Sequence, residues 1–259
     1  MIVRRHRRRV AASLAALTLV GGGARLDAQA TIGWQRSAQL SANVWYGAAH
    51  TRVVSSEVEM GHTDSSFSVR ATMRFGYADD REDNGPRQVT ARSNEVTLGA
   101  DYRPFDRYSP FILAGGESSF QQRIALRTSA GLGAKRTLLH KNRDDLSISL
   151  ALLTERTVAL EPPDSSARIA TRTRWSWRFR YRRQLTPTLY VSHVTFYQPA
   201  VEHAATRYTV DATTSLEAAI TSAVSLTATL RDRYDSESRS RGAPSDNDGQ
   251  FLLGLRARF

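Results

Sequence analysis

Residues 171–182 limit the possible folds more than any other stretch of the chain. Thr171, Thr173, Trp175, Trp177, Phe179 and Tyr181 occupy one parity, and Arg172, Arg174, Ser176, Arg178, Arg180 and Arg182 the other. Successive side chains of a strand point to opposite faces, so a strand here has an aromatic face and a cationic one. A helix would scatter both kinds around its circumference. Residues 66–77 repeat the pattern, with Phe67, Val69, Ala71, Met73, Phe75 and Tyr77 against Ser66, Ser68, Arg70, Thr72, Arg74 and Gly76. Residues 123–135 do the same, with Ile124, Leu126, Ala130, Leu132 and Ala134 against Arg123, Arg127, Ser129, Gly131, Gly133 and Lys135.

Extending this alternation predicts strands at about 33–46, 52–61, 66–78, 90–103, 109–120, 122–136, 144–157, 168–183, 187–198, 206–218, 221–235 and 248–259. An even number of long alternating strands predicts an all-β fold, a transmembrane antiparallel up-and-down β-barrel of about 12 strands. Connection lengths agree. The segments 79–89, 158–167 and 236–247 are long and polar, whereas those near 62–65, 104–108, 184–186 and 219–220 are short. With the N-terminus on the periplasmic side, the long ones fall outside, as outer-membrane barrels arrange their loops. Trp34, Phe67, Tyr102, Phe111, Tyr181 and Phe259 are then expected at the periplasmic rim. Trp45, Tyr46, Tyr77, Tyr197, Tyr208, Tyr234 and Phe251 are expected at the outer one, giving two aromatic girdles. A soluble β-sandwich or a lipocalin-like barrel also alternates. Neither suits this many long strands with consecutive arginines on one parity and Trp, Tyr and Leu on the other.

The start of the chain reads as an address. A basic run, Arg4-Arg5-His6-Arg7-Arg8-Arg9, precedes an apolar stretch from Val10 to Val20, and Ala28-Gln29-Ala30 supplies a small-residue cleavage site. These parts in this order predict a secretory signal peptide over 1–30, leaving a barrel domain over 31–259. The formal charge of +11 would suggest a nucleic-acid binder. Arg4, Arg5, Arg7, Arg8, Arg9 and Arg25 against Asp27 put +5 of it on residues 1–30, leaving +6 on the rest. An exported location removes nucleic acid from the expected partners. The absence of cysteine excludes disulfides and thiolate chemistry. The mean hydropathy of −0.42 fits a barrel in which half of every strand faces away from lipid.

The last strand places Phe251, Leu253, Leu255, Ala257 and Phe259 on alternate positions up to the final residue. This resembles the signal by which the outer-membrane assembly machinery recognises barrels. The expected location is therefore the bacterial outer membrane. The expected partners are its lipid and that machinery, with small anions as candidates for the lumen.

If the apolar parity faces lipid, the other lines the lumen. Its cations are Arg70, Arg74, Arg123, Arg127, Lys135, Arg172, Arg174, Arg178, Arg180, Arg182, Arg231, Arg233, Arg256 and Arg258. Its anions are Glu57, Glu59, Glu95, Asp101, Glu155, Asp211 and Glu217. Strands 168–183, 221–235 and 248–259 bring mostly cations and few partners. Two readings follow. Arg and carboxylate side chains meet across the lumen and plug it, leaving a structural or stress-related envelope component, or a narrow water path remains that prefers anions.

An outer-membrane hydrolase is the alternative of another class. It needs Ser and His to converge at the outer rim. His62 and His140 are expected in periplasmic turns, and His50 and His203 in outer loops. His193 lies within a strand, where it and Ser192 point to opposite faces. Asp79, Asp80, Glu82 and Asp83 form an acidic outer loop, a composition that omptin-type proteases combine with a histidine, here His50. No nucleotide, zinc-protease or serine-hydrolase motif occurs, so no enzyme, cofactor or metal centre is expected. Gly131-Leu132-Gly133 reads as a place where neighbouring strands or inward side chains approach closely.

Several further residues carry a resemblance: Trp34-x-x-Ser37-x-x-Leu40, Asp101-Tyr102, Phe105-Asp106-Arg107-Tyr108-Ser109-Pro110-Phe111, Arg127, Gly131-Leu132-Gly133, Arg233-Tyr234-Asp235-Ser236 and the closing strand to Phe259. Over nearly all of 31–259 the chain resembles the salt-induced outer-membrane protein family, a domain-of-unknown-function group. The resemblance implies a barrel and assigns no substrate or catalytic residue.

Overall fold

The computed structural model describes residues 32–45, 51–81, 85–141, 143–160 and 169–259. The expected signal segment 1–30, His50, Tyr46, Glu82 and Asp83 lie outside the described residues. Twelve strands run in chain order: β1 (Gly33–Trp45), β2 (Thr51–Thr63), β3 (Phe67–Asp80), β4 (Gln88–Tyr102), β5 (Tyr108–Ser119), β6 (Ile124–Lys141), β7 (Asp144–Ala159), β8 (Ile169–Thr186), β9 (Leu189–Pro199), β10 (Tyr208–Ala219), β11 (Val224–Asp235) and β12 (Asn247–Arg258). Each pairs antiparallel with its neighbours in sequence, and β1 pairs with β12, so the sheet closes into a barrel. The closing seam is short. It joins Ser37–Ser41 to Gly254–Arg258, after which the Asn43 amide reaches the Phe251 carbonyl at 2.6 Å.

We call the end holding Gly33 and Arg258 the inner end. Its turns are short, at 64–66, 103–107, 142–143, 187–188 and 220–223. The opposite, outer end carries the longer connections 81–87, 160–168, 200–207 and 236–246. Local chemistry makes the short turns. In the first, the Asp64 carboxylate accepts the backbone N–H groups of Phe67 and Ser66, each at 2.7 Å, which holds its pKa below the ordinary aspartate value. The β6–β7 turn is tighter than expected because a bulge at Thr137/Leu139 carries β6 on to Lys141. His140 therefore sits in a strand end and not in a turn, and so does His62, because β2 runs on to Thr63.

The polarity is inverted relative to a soluble protein. Trp175, Trp177, Phe179, Leu132, Leu226, Leu230, Leu253 and Leu255 are exposed on the outside, while Ser41, Thr227, Arg174 and Asp235 are buried within. In water such an apolar belt is unfavourable, and in hydrocarbon it is required. Rings mark both rims. Phe67 lies 5.3 Å from Tyr102 at the inner end, and Tyr208 lies between Tyr197 (5.9 Å) and Tyr234 (5.4 Å) at the outer end. Phe111 does not join the inner girdle. Pro110 and Ile112 flank it on the lipid parity, so Phe111 turns inward and is 8% exposed. There it forms a small apolar cluster with Leu113, Ala151 and Leu153.

That cluster explains the glycine pair in β6. A Cβ on Gly133 would stand 2.7 Å from the Ala151 Cβ, and one on Gly131 would collide with a Leu153 methyl. A Gly133→Val substitution is expected to destabilise the barrel by about 1–3 kcal/mol through overpacking. Urea unfolding followed by tryptophan fluorescence measures this, with Ala134→Val on the lipid face as the comparison that remains close to wild type.

Candidate lumen charge network

The inward parity of the barrel carries the charge. Arg70, Arg74, Glu95, Asp101, Arg127, Arg172, Arg174, Arg178, Arg180, Arg182, Arg231 and Arg233 all lie on inward positions of β3, β4, β6, β8 and β11. Arg123 does not line the lumen from a strand. The β5–β6 turn spans 120–123, and Arg123 adopts a left-handed φ of 55° there so that β6 begins one residue later.

The outer half of the lumen is crossed by ion pairs between strands that are not neighbours. Arg231 of β11 reaches Glu95 of β4 at 3.0 Å, and Arg233 reaches Glu117 of β5 at 2.6 Å. Arg127 of β6 reaches Asp235 at the end of β11 at 2.7 Å. Each charge has further partners. Arg74 lies between Glu57 (2.7 Å) and Glu95 (3.1 Å), Arg231 also meets Asp211 (3.1 Å), and Arg127 meets Glu117 (3.0 Å). Removing paired charges from water costs several kcal/mol per ion, so a network of this kind persists only when every member is satisfied.

The connection 236–246 folds over this layer and adds to it. Glu237 receives Arg174 and Arg172, each at 3.1 Å, and Arg174 also meets Glu155 at 3.2 Å. Arg241, in a short 3-10 turn, joins Asp235 at 2.7 Å and donates to the Gln122 carbonyl at 3.1 Å. The Asp235 side chain is completely buried and that of Arg174 is 1% exposed. Beneath the connection lies a cavity of about 290 Å³ lined by Arg127, Glu155, Thr157, Arg172, Glu237 and Arg241.

The arginines and carboxylates just named in this outer layer are equal in number, and Arg256 also reaches Glu57 at 3.2 Å. The layer's arginines are 74, 127, 172, 174, 231, 233 and 241, and its carboxylates are Glu57, Glu95, Glu117, Glu155, Asp211, Asp235 and Glu237. Strand β11, expected to lack partners, finds them across the lumen, and Arg256 and Arg258 of β12 meet Glu217 of β10. The sequence reading missed Glu117, Asp235, Glu237 and Arg241. Glu117 and Asp235 were legible, since each continues an inward parity. The other two lie in a connection, where alternation gives no direction.

The histidines are placed apart from this layer. His193 faces outward, with Nδ1 2.8 Å from Thr214 Oγ1 and Nε2 2.6 Å from Thr195 Oγ1, while Ser192 takes the opposite parity. His203 is in the 200–207 connection with a φ of 63°. Of the acidic outer group, Asp79 pairs with Arg87, and Asp80 accepts the Thr51 hydroxyl at 3.2 Å.

Glu117→Gln removes the charge shared by Arg127 and Arg233 and is expected to cost about 3–5 kcal/mol. The same urea titration checks it, with Glu202→Gln in an exposed connection expected to remain within about 0.5 kcal/mol of wild type.

Solved structures with a similar arrangement include the translocator domain of the autotransporter NalP from Neisseria meningitidis, at 14% identity and a TM-score of 0.48 over 90% of this chain and 91% of that one. An outer membrane channel from Pseudomonas putida F1 is 11% identical, with a TM-score of 0.49 over 93% and 99%. The KdgM porin is 9% identical, with a TM-score of 0.44 over 87% and 99%. No curated protein matches the sequence. The profile of one protein family, described as a protein of unknown function, DUF481, matches residues 38–259, and the chain belongs to that family.

Proposed function

We propose that this outer-membrane barrel is a structural or stress-related component of the envelope, with a lumen closed in its outer half. One observation carries the reading. The pairs Arg231–Glu95, Arg233–Glu117 and Arg127–Asp235 join strands from opposite walls, so side chains fill the bore where an open porin leaves water. The signal segment over 1–30 directs export in this reading. The alternate residues Phe251, Leu253, Leu255, Ala257 and Phe259 present the last strand to the assembly machinery. The first four occupy the lipid parity of β12, which supports such a role.

A narrow anion-preferring path is the second reading. It is favoured by Arg178, Arg180 and Arg182 of β8, which form no ion pair among the described residues, unlike Arg172 and Arg174 on the same face. Planar-bilayer recording separates the two. The wild-type barrel is expected to give no stepwise conductance, and the Arg231→Ala/Arg233→Ala variant, which removes the side chains spanning the bore, is expected to give discrete steps. Steady wild-type conductance with a reversal potential favouring chloride would establish the second reading instead.

A further inference from the structure

The inner half of the lumen has a different charge balance from the outer half. Arg70 meets Glu59 at 3.3 Å, Lys135 lies 3.9 Å from Asp101, Arg256 and Arg258 share Glu217, and Asp145 holds His140 at 3.1 Å. The inward carboxylates of this half are thereby engaged, and three guanidiniums on alternate positions of β8 remain. Arg178 donates to the Ser149 hydroxyl at 2.9 Å and lies over the Phe111 ring at 5.4 Å. Arg182 lies over the Tyr190 ring at 5.5 Å. Arg180, between them, is within electrostatic reach of Arg70, Arg178 and Arg182, all of the same sign, and of one carboxylate, Asp145, which stands opposite Arg182 in the β7–β8 register.

Like charges gathered in a confined space repel, and Asp101, Asp145 and Glu217, each in closer contact with another group, offset them only in part. Aromatic faces under Arg178 and Arg182 hold two guanidiniums in position without neutralising them. Water reaches this half: the side chains of Arg70, Glu59 and Asp101 are 43%, 36% and 31% exposed. Alternate residues on a strand stand roughly 7 Å apart, so the three arginines form a row along β8.

We propose that Arg178, Arg180 and Arg182 form a binding site for a small multivalent oxyanion, a phosphate or carboxylate compound, entered from the inner end. Guanidinium forks bind such groups bidentately, and two or three forks in a row favour an anion carrying more than one charged group. The site rests on the reading of a lumen closed outward, because that closure makes it a pocket with one mouth. On that reading it is a periplasm-facing receptor surface within a membrane barrel.

Isothermal titration of the refolded barrel in zwitterionic detergent at low salt, with inorganic diphosphate and with citrate as probes, tests the site. Saturable binding of one equivalent of either probe is expected; diphosphate alone or citrate alone assigns the phosphate or the carboxylate class. Loss of a charge-assisted fork weakens binding about tenfold, so Arg180→Gln/Arg182→Gln is expected to lose about a hundredfold. Arg180→Lys, which keeps the charge and loses the fork, weakens binding less than the double variant does, and Arg239→Gln on the outer connection retains all of it. Removing cations from a repelling row does not threaten folding, and heat-modifiable gel mobility verifies this. Absence of saturable binding to the wild type, or equal affinity in the β8 double variant, overturns the site. Wild-type conductance in the bilayer overturns only the closed-lumen reading.

Discussion

Backbone N–H and C=O groups left unpaired in hydrocarbon cost several kcal/mol each, and the rest of this structure depends on avoiding that cost. The chain does so with twelve antiparallel strands whose first and last members pair. Closure then fixes the alternation. Once the sheet is a cylinder in lipid, every strand must present apolar side chains outward, and polar ones have no other place than the lumen. The arginines that make the chain look like a basic soluble protein are thus a result of the same constraint that puts Trp175 and Trp177 in contact with lipid.

The lumen creates a second problem, since a narrow bore concentrates charge. The barrel handles its two halves differently. In the outer half each of these arginines has a carboxylate from another strand or from the 236–246 connection, so the charges are paired and brace opposite walls. In the inner half β8 carries three cations that form no ion pair among the described residues and are offset only in part by Asp101, Asp145 and Glu217. Bracing and attraction are therefore separated along the axis, with Phe111 and its apolar neighbours inside the wall near the boundary between them.

The fold was largely legible because a period of two is a strong signal when repeated, and the lengths of the connections oriented it. Strand ends were less legible: the bulge at Thr137/Leu139 and the left-handed Arg123 move boundaries through backbone geometry that side-chain alternation does not record. Phe111 was misplaced because depth along the strand suggested a girdle while parity, the stronger rule, sent it inward. The partners across the lumen were the least legible part. Which arginine faces which carboxylate depends on how far the cylinder is flattened and sheared, and no local pattern encodes that. Glu237 and Arg241, on a connection that folds back into the mouth, show the same limit.

The short seam sets the order in which the molecule can come into being. Every other strand pair joins neighbours in sequence and can form as a hairpin from local contacts alone. The pairing of Ser37–Ser41 with Gly254–Arg258 cannot, since its two halves lie at opposite ends of the barrel sequence. Until that pairing forms, the sheet has two free edges able to pair with any other strand in the periplasm. The barrel is therefore exposed to misassembly for the whole time before closure, and its final strand decides when that period ends.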